Sequence, residues 1–200
     1  MTRSDRGAVV LVAAPGAGDQ PTALTDVAGE PVLRRVVERV DRVVGSIVVA
    51  CPRALVARCE TTLDGLAAEV VGVDNPAPAA RIGAALERVD GATVAIVPGD
   101  VADLDPDFLG FLFDRMATTD GAVPLLPDGT PQPALAVYDA TALREAAAAA
   151  VARDADDATA LLDGLDATLV PPAEVAQVTD WERLARVGTG GTRGESAPDG

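Results

Sequence analysis

Short runs of β-branched and aliphatic residues alternate along the chain with segments of helical periodicity. The strand-like runs of the first half are residues 7–14, 46–51, 69–73 and 93–97. The helical segments between them are residues 31–42, 53–60 and 79–89. Strands that are separated by helices need crossover connections, so they pair in a mostly parallel sheet with helices on both faces. The sequence therefore predicts a three-layer α/β/α domain.

The second half of the chain follows a different pattern. A helix is predicted to begin at Pro106, which has acidic residues on both sides. The turn at residues 127–129 joins two predicted strands, 122–126 and 134–138, which we expect to be the antiparallel part of the sheet. The remaining predicted elements are a helix over 141–152, a short helix over 156–163, a short strand over 167–170 and helical turns over 180–186. We expect a single domain over residues 1–187 and a disordered tail over 188–200, because the tail is polar and aperiodic.

The basic residues limit the chemistry that this chain can perform. It contains no histidine, and all 16 of its basic residues are arginines. Mechanisms that need an imidazole are therefore excluded, and so are Schiff-base chemistry and a phosphate-binding lysine. The two cysteines, Cys51 and Cys59, form neither a C-x-x-C motif nor a disulfide framework, so we expect two half-buried free thiols.

The net charge of −15 argues against nucleic acids and anionic membranes as partners, since both are polyanions. A lysine-free, aspartate-rich composition is typical of proteins from a salt-rich cytosol. Arg3 and Arg6 before an apolar run resemble the start of a signal peptide, but the run is only about eight residues long, near the lower limit for such a peptide. We interpret it as a buried strand, and we expect a cytoplasmic, monomeric protein.

Three predicted strand ends carry candidate site residues, because ligands of open parallel sheets bind beyond the carboxyl ends of the strands. The loop over residues 13–20 contains glycines that would let backbone amides approach a phosphate, or it is a plain turn. Asp100, which follows Pro98-Gly99, is placed to hold Mg²⁺ on a triphosphate, or it is a solvated or helix-capping acid. Asp74 and Asn75 would bind a base or ribose, or form an Asx turn.

Several segments in this order resemble the molybdenum cofactor guanylyltransferase family and its wider nucleotidyltransferase-like superfamily. The similarity extends over about residues 7–186. The matching segments are AGEPVLRRV (28–36), VPGD (97–100), LDPDFL (104–109), AVP (122–124), QPALAVY (132–138) and VTDWERL (178–184). The pair formed by AVP and QPALAVY is fairly specific to the family.

This resemblance implies a Rossmann-like, mostly parallel sheet of the nucleotide-diphospho-sugar transferase type. It also implies transfer of a nucleoside monophosphate from a nucleoside triphosphate to a phosphate-bearing acceptor, with Mg²⁺ and release of pyrophosphate. In the named family the donor is GTP and the acceptor is molybdopterin. By resemblance, Asp100 would be catalytic and bind the metal, and Gln132 and Pro133 would line the acceptor side. The nucleotide-binding residues would be Leu11, Ala13, Ala14, Gly18, Thr22 and Asp74.

The nucleotide loop of this chain departs from the family pattern, which contains a double glycine, an arginine and a lysine. The double glycine falls on Ala13-Ala14, the arginine near Gly16 and the lysine on Thr22. In the later G-P-L-x-G segment, Pro78 is kept, but both glycines are replaced, the second by Arg81. Losing the cations that neutralise the transition state should lower turnover by at least ~10²–10³-fold.

These departures leave three hypotheses open. The first is an active nucleotidyltransferase with an altered loop, in which Arg81 either replaces a lost cation or is a surface arginine. The second is a non-catalytic relative with a regulatory or scaffolding role. The third is a Rossmann-like protein with another ligand, which should have a ribose-binding acid after the second strand, where this chain has Cys51-Pro52-Arg53.

Overall fold

A seven-stranded sheet forms the centre of the molecule. The computed structural model describes residues 2–14, 20–116 and 118–181. Its strands are β1 (Arg6–Leu11), β2 (Asp26–Val27), β3 (Glu30–Pro31), β4 (Ser46–Pro52), β5 (Glu69–Val73), β6 (Thr93–Pro98), β7 (Gly121–Pro124), β8 (Ala136–Asp139) and β9 (Ala167–Val170). The order in the large sheet is β5-β4-β1-β6-β8-β7-β9, and β2 and β3 form a separate hairpin.

Helices cover both faces of this sheet. They are α1 (Val32–Val40), α2 (Val56–Thr62), α3 (Pro78–Leu86), α4 (Pro106–Met116), α5 (Ala140–Ala152) and α6 (Pro172–Val175), and residues 158–162 form a 3-10 helix. Successive side chains of a strand point to opposite faces. Ala8 and Val10 therefore pack in one core with α1, α2 and α4, while Val9 packs in the other with α3 and α5. The predicted three-layer α/β/α architecture is confirmed.

Strand β1 lies at the middle of the parallel part of the sheet. Gly7 of β1 pairs with Ser46 of β4 on one side and with Val94 of β6 on the other, and both pairings are parallel. The connection from β4 and β5 to β6 thus crosses from one side of β1 to the other. Such a change of direction creates a crevice at the carboxyl ends of the two strands, where open sheets bind ligands.

Strand β8 is antiparallel to both of its neighbours. It pairs with β7, as the sequence predicts, and also with β6. The reversal comes from the turn at residues 127–129, where Asp128 accepts a hydrogen bond from the backbone N–H of Thr130 and Gly129 has a φ of +86°. Strand β9 restores the parallel direction beside β7.

The hairpin of β2 and β3 is not predicted by the sequence analysis. Its two central residues, Ala28 and Gly29, have φ angles of 55° and 86°, as a two-residue turn of type I′ requires. Arg35 of α1 holds the hairpin against the helix by donating to the carbonyl of Val27 at 2.8 Å and to Glu30 at 3.3 Å. Strands of two residues are too short to show a hydrophobic alternation.

Three further points concern the cysteines, the length of the helices and the end of the chain. The cysteines are free, as predicted, but both are fully buried rather than half-buried, because β4 and α2 pack them in the core. Among the helices of the described ranges, none is long and apolar enough to cross a membrane. The predicted tail over 188–200 and most of the predicted turns over 180–186 lie outside the described residues.

Candidate functional site

A cavity of about 440 Å³ opens at the carboxyl ends of β1 and β6. This volume lies in the range of small-molecule sites. The sheet contributes the floor of the cavity, through Leu11, Ala13, Pro98, Asp100 and Val101. The walls are formed by Pro78 and Arg81 of α3, by Leu126, Gln132, Ala134 and Leu135 from the β7–β8 connection, and by Ala158 and Trp181. The charged residues in this lining are Arg81 and Asp100.

Asp100 reaches the cavity because the chain turns sharply at Gly99. The backbone N–H of Gly99 donates to the carbonyl of Leu11 at 2.8 Å, which fixes the end of β6 against the end of β1. A side chain at position 99 would have its Cβ 3.1 Å from that carbonyl oxygen and 3.3 Å from Leu33 Cδ1. This contact is tighter than ordinary packing permits, so glycine keeps the turn close and places the Asp100 carboxylate at the crevice.

The environment of Asp100 favours its neutral form. The residue is half-buried, and burial raises the pKa of its carboxyl above the ordinary value, while a hydrogen bond from its own backbone N–H opposes this shift. In the described part of the chain, no arginine forms an ion pair with it. A carboxylate that is partly desolvated and not neutralised is well suited to bind a cation.

Arg81 occupies the opposite wall, at the beginning of α3. Its Nη1 donates to the carbonyl of Val12 at 2.7 Å, and its Nη2 donates to the carbonyl of Pro76. Burial lowers the pKa of the guanidinium, which nevertheless stays protonated at neutral pH. The side chain therefore links the end of β1 to the loop before α3 and leaves a positive charge at the cavity.

The connection between β7 and β8 forms a wall over the cavity. The backbone N–H of Gln132 donates to the carbonyl of Pro124 at 2.9 Å. Tyr138, which is fully buried in β8, donates its hydroxyl to the carbonyl of Pro133 at 2.8 Å, and burial raises the pKa of this hydroxyl. These two bonds position the Gln132-Pro133 segment, and Gln132 faces the cavity.

Trp181 separates the cavity from a second depression of about 670 Å³ that includes Thr179. Its ring packs edge-on against Phe108 of α4, with centroids 6.2 Å apart. Its indole Nε1 is buried and has no hydrogen-bond partner among the described residues. Sequence reasoning did not assign Trp181 to the site, although it is the single tryptophan of the chain and lies in the VTDWERL segment.

The cavity brings together four of the residues predicted from the resemblance, namely Leu11, Ala13, Asp100 and Gln132. Their roles remain predictions. Ala14, Thr22, Asp74 and Pro133 are not part of the cavity lining, and Gly18 lies outside the described residues. Thr22 is exposed at the start of a 3-10 turn.

Asp74 forms an ion pair instead of facing the cavity. Arg53 donates to its carboxylate at 2.8 Å and 2.9 Å, and both side chains are largely exposed. The next residue, Asn75, accepts a hydrogen bond from the backbone N–H of Ala77, which confirms the alternative interpretation of an Asx turn for that residue. A contact of Asp74 with a nucleoside would have to compete with Arg53.

No group of three or more Cys, Asp or Glu side chains converges on a metal site within the described ranges. Mg²⁺ does not need such a group, because it is commonly held by one or two carboxylates together with substrate phosphates and water. Asp100, with its partly desolvated carboxylate at the cavity, fits that mode of binding.

Comparison with known proteins assigns this chain to a family. The model of the MobA-like NTP transferase domain matches residues 10–170. A probable molybdenum cofactor guanylyltransferase of Natronomonas pharaonis is 34% identical over 184 residues, which cover 91% of this chain and 85% of that protein.

Solved structures agree with the fold. The molybdopterin-guanine dinucleotide biosynthesis protein A of Archaeoglobus fulgidus superposes with a TM-score of 0.70 at 19% identity, covering 88% of this chain and 89% of that one. The 2-C-methyl-D-erythritol 4-phosphate cytidylyltransferase of Thermus thermophilus superposes with a TM-score of 0.65 at 21% identity, covering 94% and 100%.

Proposed function

The chain belongs to the family of MobA-like NTP transferase domains, and on this premise we propose that it transfers a nucleoside monophosphate from GTP to a phosphate-bearing acceptor such as molybdopterin. One observation carries the proposal: the half-buried, unneutralised carboxylate of Asp100 faces a cavity at the carboxyl ends of β1 and β6. The relative from Natronomonas pharaonis supports the choice of donor and acceptor through its name. We place the reaction in the cytoplasm.

The reaction exchanges one bond for another at the α-phosphorus of the donor. An oxygen of the acceptor phosphate forms a bond to that phosphorus, and the bond to the oxygen bridging to the β-phosphate breaks. Pyrophosphate leaves with the electron pair. Because a phosphate monoester is largely ionised at neutral pH, the nucleophile needs no general base. The lack of histidine as a general base therefore does not prevent this reaction.

The protein contributes mainly position and electrostatics, as is general for phosphoryl transfer. Asp100 would hold Mg²⁺, which when bound would neutralise charge on the phosphate oxygens. Leu11 and Ala13 would border the donor, while Gln132, held through the Pro124 carbonyl, would face the acceptor. The mainly apolar lining would lower the polarity around bound phosphates and so strengthen the electrostatic interactions there.

A second candidate is a non-catalytic relative, which is favoured by one observation. The segment of residues 13–22, where the family has its cations, contains none in this chain. The two functions differ in nucleotide binding, since only the transferase needs a triphosphate in the cavity.

The deciding experiment is a titration of the folded protein with GTP and Mg²⁺ in molar KCl, followed by calorimetry and by the fluorescence of Trp181. ATP and CTP serve as comparison ligands, and Asp100→Ala and the exposed Asp103→Ala serve as variants. The transferase requires Mg²⁺-dependent binding of GTP that Asp100→Ala abolishes and Asp103→Ala keeps, with release of pyrophosphate when molybdopterin is added. Absence of binding at millimolar GTP by a folded protein would reject the transferase and favour the non-catalytic relative.

A further inference from the structure

Arg81 differs from the other described arginines in being partly buried without an ion-pair partner. Most arginines in the described part of the chain pair with a carboxylate, as an excess of acids makes easy. Three described arginines have no carboxylate partner among the described residues, namely Arg42, Arg58 and Arg81. Arg42 and Arg58 are exposed to solvent, whereas Arg81 is half-buried. A partly buried charge without a counter-ion is costly, so it is expected to be kept for an anionic ligand.

The hydrogen bonds of Arg81 leave it able to bind an anion. A guanidinium has five N–H groups, and two of them bond to the carbonyls of Val12 and Pro76. The Nε atom is buried and has no partner among the described residues. Neutral carbonyl partners orient the guanidinium but do not cancel its charge, so the positive charge remains available at the cavity.

Arg81 and Asp100 line the same cavity but do not form an ion pair with each other. The carbonyls of Val12 and Pro76 hold the arginine on one wall, and the turn at Gly99 holds the aspartate at the floor. Opposite charges that are kept apart across a pocket match a ligand that carries both signs. A metal bound to phosphate is such a ligand, with the cation toward Asp100 and the phosphate oxygens toward Arg81.

We propose that Arg81 binds the phosphates of the nucleotide and replaces the positive charge that the segment of residues 13–22 lacks. This inference rests on the proposed function and concerns the same site. The bond to the Val12 carbonyl places the guanidinium where that segment leaves β1. Arginine suits this role because its planar fork donates two parallel hydrogen bonds to phosphate oxygens. Charge that develops on the departing pyrophosphate would be stabilised by the same group.

The test compares Arg81→Gln, Arg81→Lys and the control Arg58→Gln, which removes an exposed arginine that also lacks a carboxylate partner. Binding of GTP, GDP, GMP and inorganic pyrophosphate, each with Mg²⁺, is followed by calorimetry in the full chain. Arg81→Gln is expected to weaken GTP and pyrophosphate binding by about 10-fold to 100-fold, with a smaller loss for GMP. Arg81→Lys should retain part of the affinity, and Arg58→Gln all of it.

Comparing ligands that carry different numbers of phosphates distinguishes two roles of Arg81: direct binding of phosphate, and a structural role in linking two loops. If Arg81 only positioned the loops, its replacement would weaken the binding of GMP and the binding of GTP to the same extent. That result would overturn the inference. Thermal melts show whether Arg81→Gln folds. If it does not, the affinities of Arg81→Lys for GMP and GTP are compared with those of the wild type instead.

Failure of the inference can be distinguished from failure of the proposed function. Wild-type-like GTP binding by Arg81→Gln, together with its loss in Asp100→Ala, would reject the role of Arg81 and leave the transferase intact. Binding of pyrophosphate that depends on Arg81, without binding of GTP, would support the phosphate site and reject the transferase. A wild-type protein that binds neither ligand would overturn both.

Discussion

At the scale of the residue, Asp100 lines the cavity and lowers the stability of the folded protein at neutral pH. Burial raises its pKa in the folded protein above the ordinary value of 3.8, so the folded state binds the proton more tightly than the unfolded state. The stability that this group contributes is therefore fully present below the unfolded pKa and is lost as the pH rises through the folded pKa. At neutral pH the charged side chain opposes folding.

We predict that Asp100→Asn raises the melting temperature at neutral pH while it abolishes Mg²⁺-dependent nucleotide binding. The gain should shrink as the pH falls through the window between 3.8 and the raised pKa, because the wild-type carboxyl becomes neutral there. Circular dichroism melts over a pH series measure this difference. Asp103→Asn, which changes an exposed acid of the same turn, is the control, and a lower melting temperature for Asp100→Asn at neutral pH would contradict the argument.

The comparison of Asp100 with Asp74 shows how far single residues could be predicted from the sequence. Both acids follow a predicted strand, and both strands end at the same edge of the sheet. Only Asp100 faces the cavity, because β6 lies beside β1, whereas Asp74 follows β5, which β4 separates from β1, and pairs there with Arg53. Spacing along the chain shows where a strand ends, but it does not show which side chain of the next strand lies opposite. Trp181 could not be assigned for the same reason, since distant segments bring it to the cavity.

At the scale of the element, the β2–β3 hairpin contains a residue in an unfavourable conformation. Ala28 has a φ of 55°, a region that alanine rarely adopts and that asparagine tolerates. Asn-Gly is also the preferred pair for a type I′ turn. We predict that Ala28→Asn raises the free energy of unfolding by about 0.5–1 kcal/mol.

Urea unfolding measures this effect, and Ala28→Val provides the opposite change. A β-branched side chain is strained at positive φ, so the valine variant should be less stable than the wild type. If Ala28→Val proved more stable than Ala28→Asn, residue 28 would not keep its positive φ in solution.

Most strands and the longer helices could be predicted, including the four-residue β9 over 167–170, whereas the β2–β3 hairpin and α6 could not. The run over residues 69–73 coincides with β5, and the helix over 141–152 differs from α5 by one residue. Each is a largely apolar segment with polar residues at or next to its ends. The strands of the β2–β3 hairpin have only two residues each and α6 has four, so their conformations depend on contacts with the rest of the fold.

At the scale of the whole molecule, a net charge of −15 makes the folded state repel itself. Salt screens this repulsion, and it also weakens the surface ion pairs, each of which contributes only about 0–1 kcal/mol. Acids outnumber arginines by nearly two to one, so relief of repulsion should dominate. We predict that molar KCl raises the melting temperature by at least about 2–4 °C, which corresponds to 1 kcal/mol in a domain of this size.

A double variant, Glu145→Gln with Asp156→Asn, tests the same repulsion without added salt. It removes two exposed acids that have no ion-pair partner among the described residues. It should melt at a higher temperature than the wild type in low salt and depend less on KCl. A melting temperature of the wild type that falls as KCl is added would mean that the ion pairs outweigh the net repulsion.

The position of β1 also affects how the chain can fold during its synthesis. Gly7 finds its first partner, Ser46, early, but its second partner, Val94, leaves the ribosome only after β5 and α3 have also been made. Until then one edge of β1, with unpaired backbone N–H and C=O groups, is open to pairing with other nascent chains. The cavity at Asp100 is completed still later, because its lining includes Gln132 and Trp181, so nearly all of the described chain must be translated before the cavity exists.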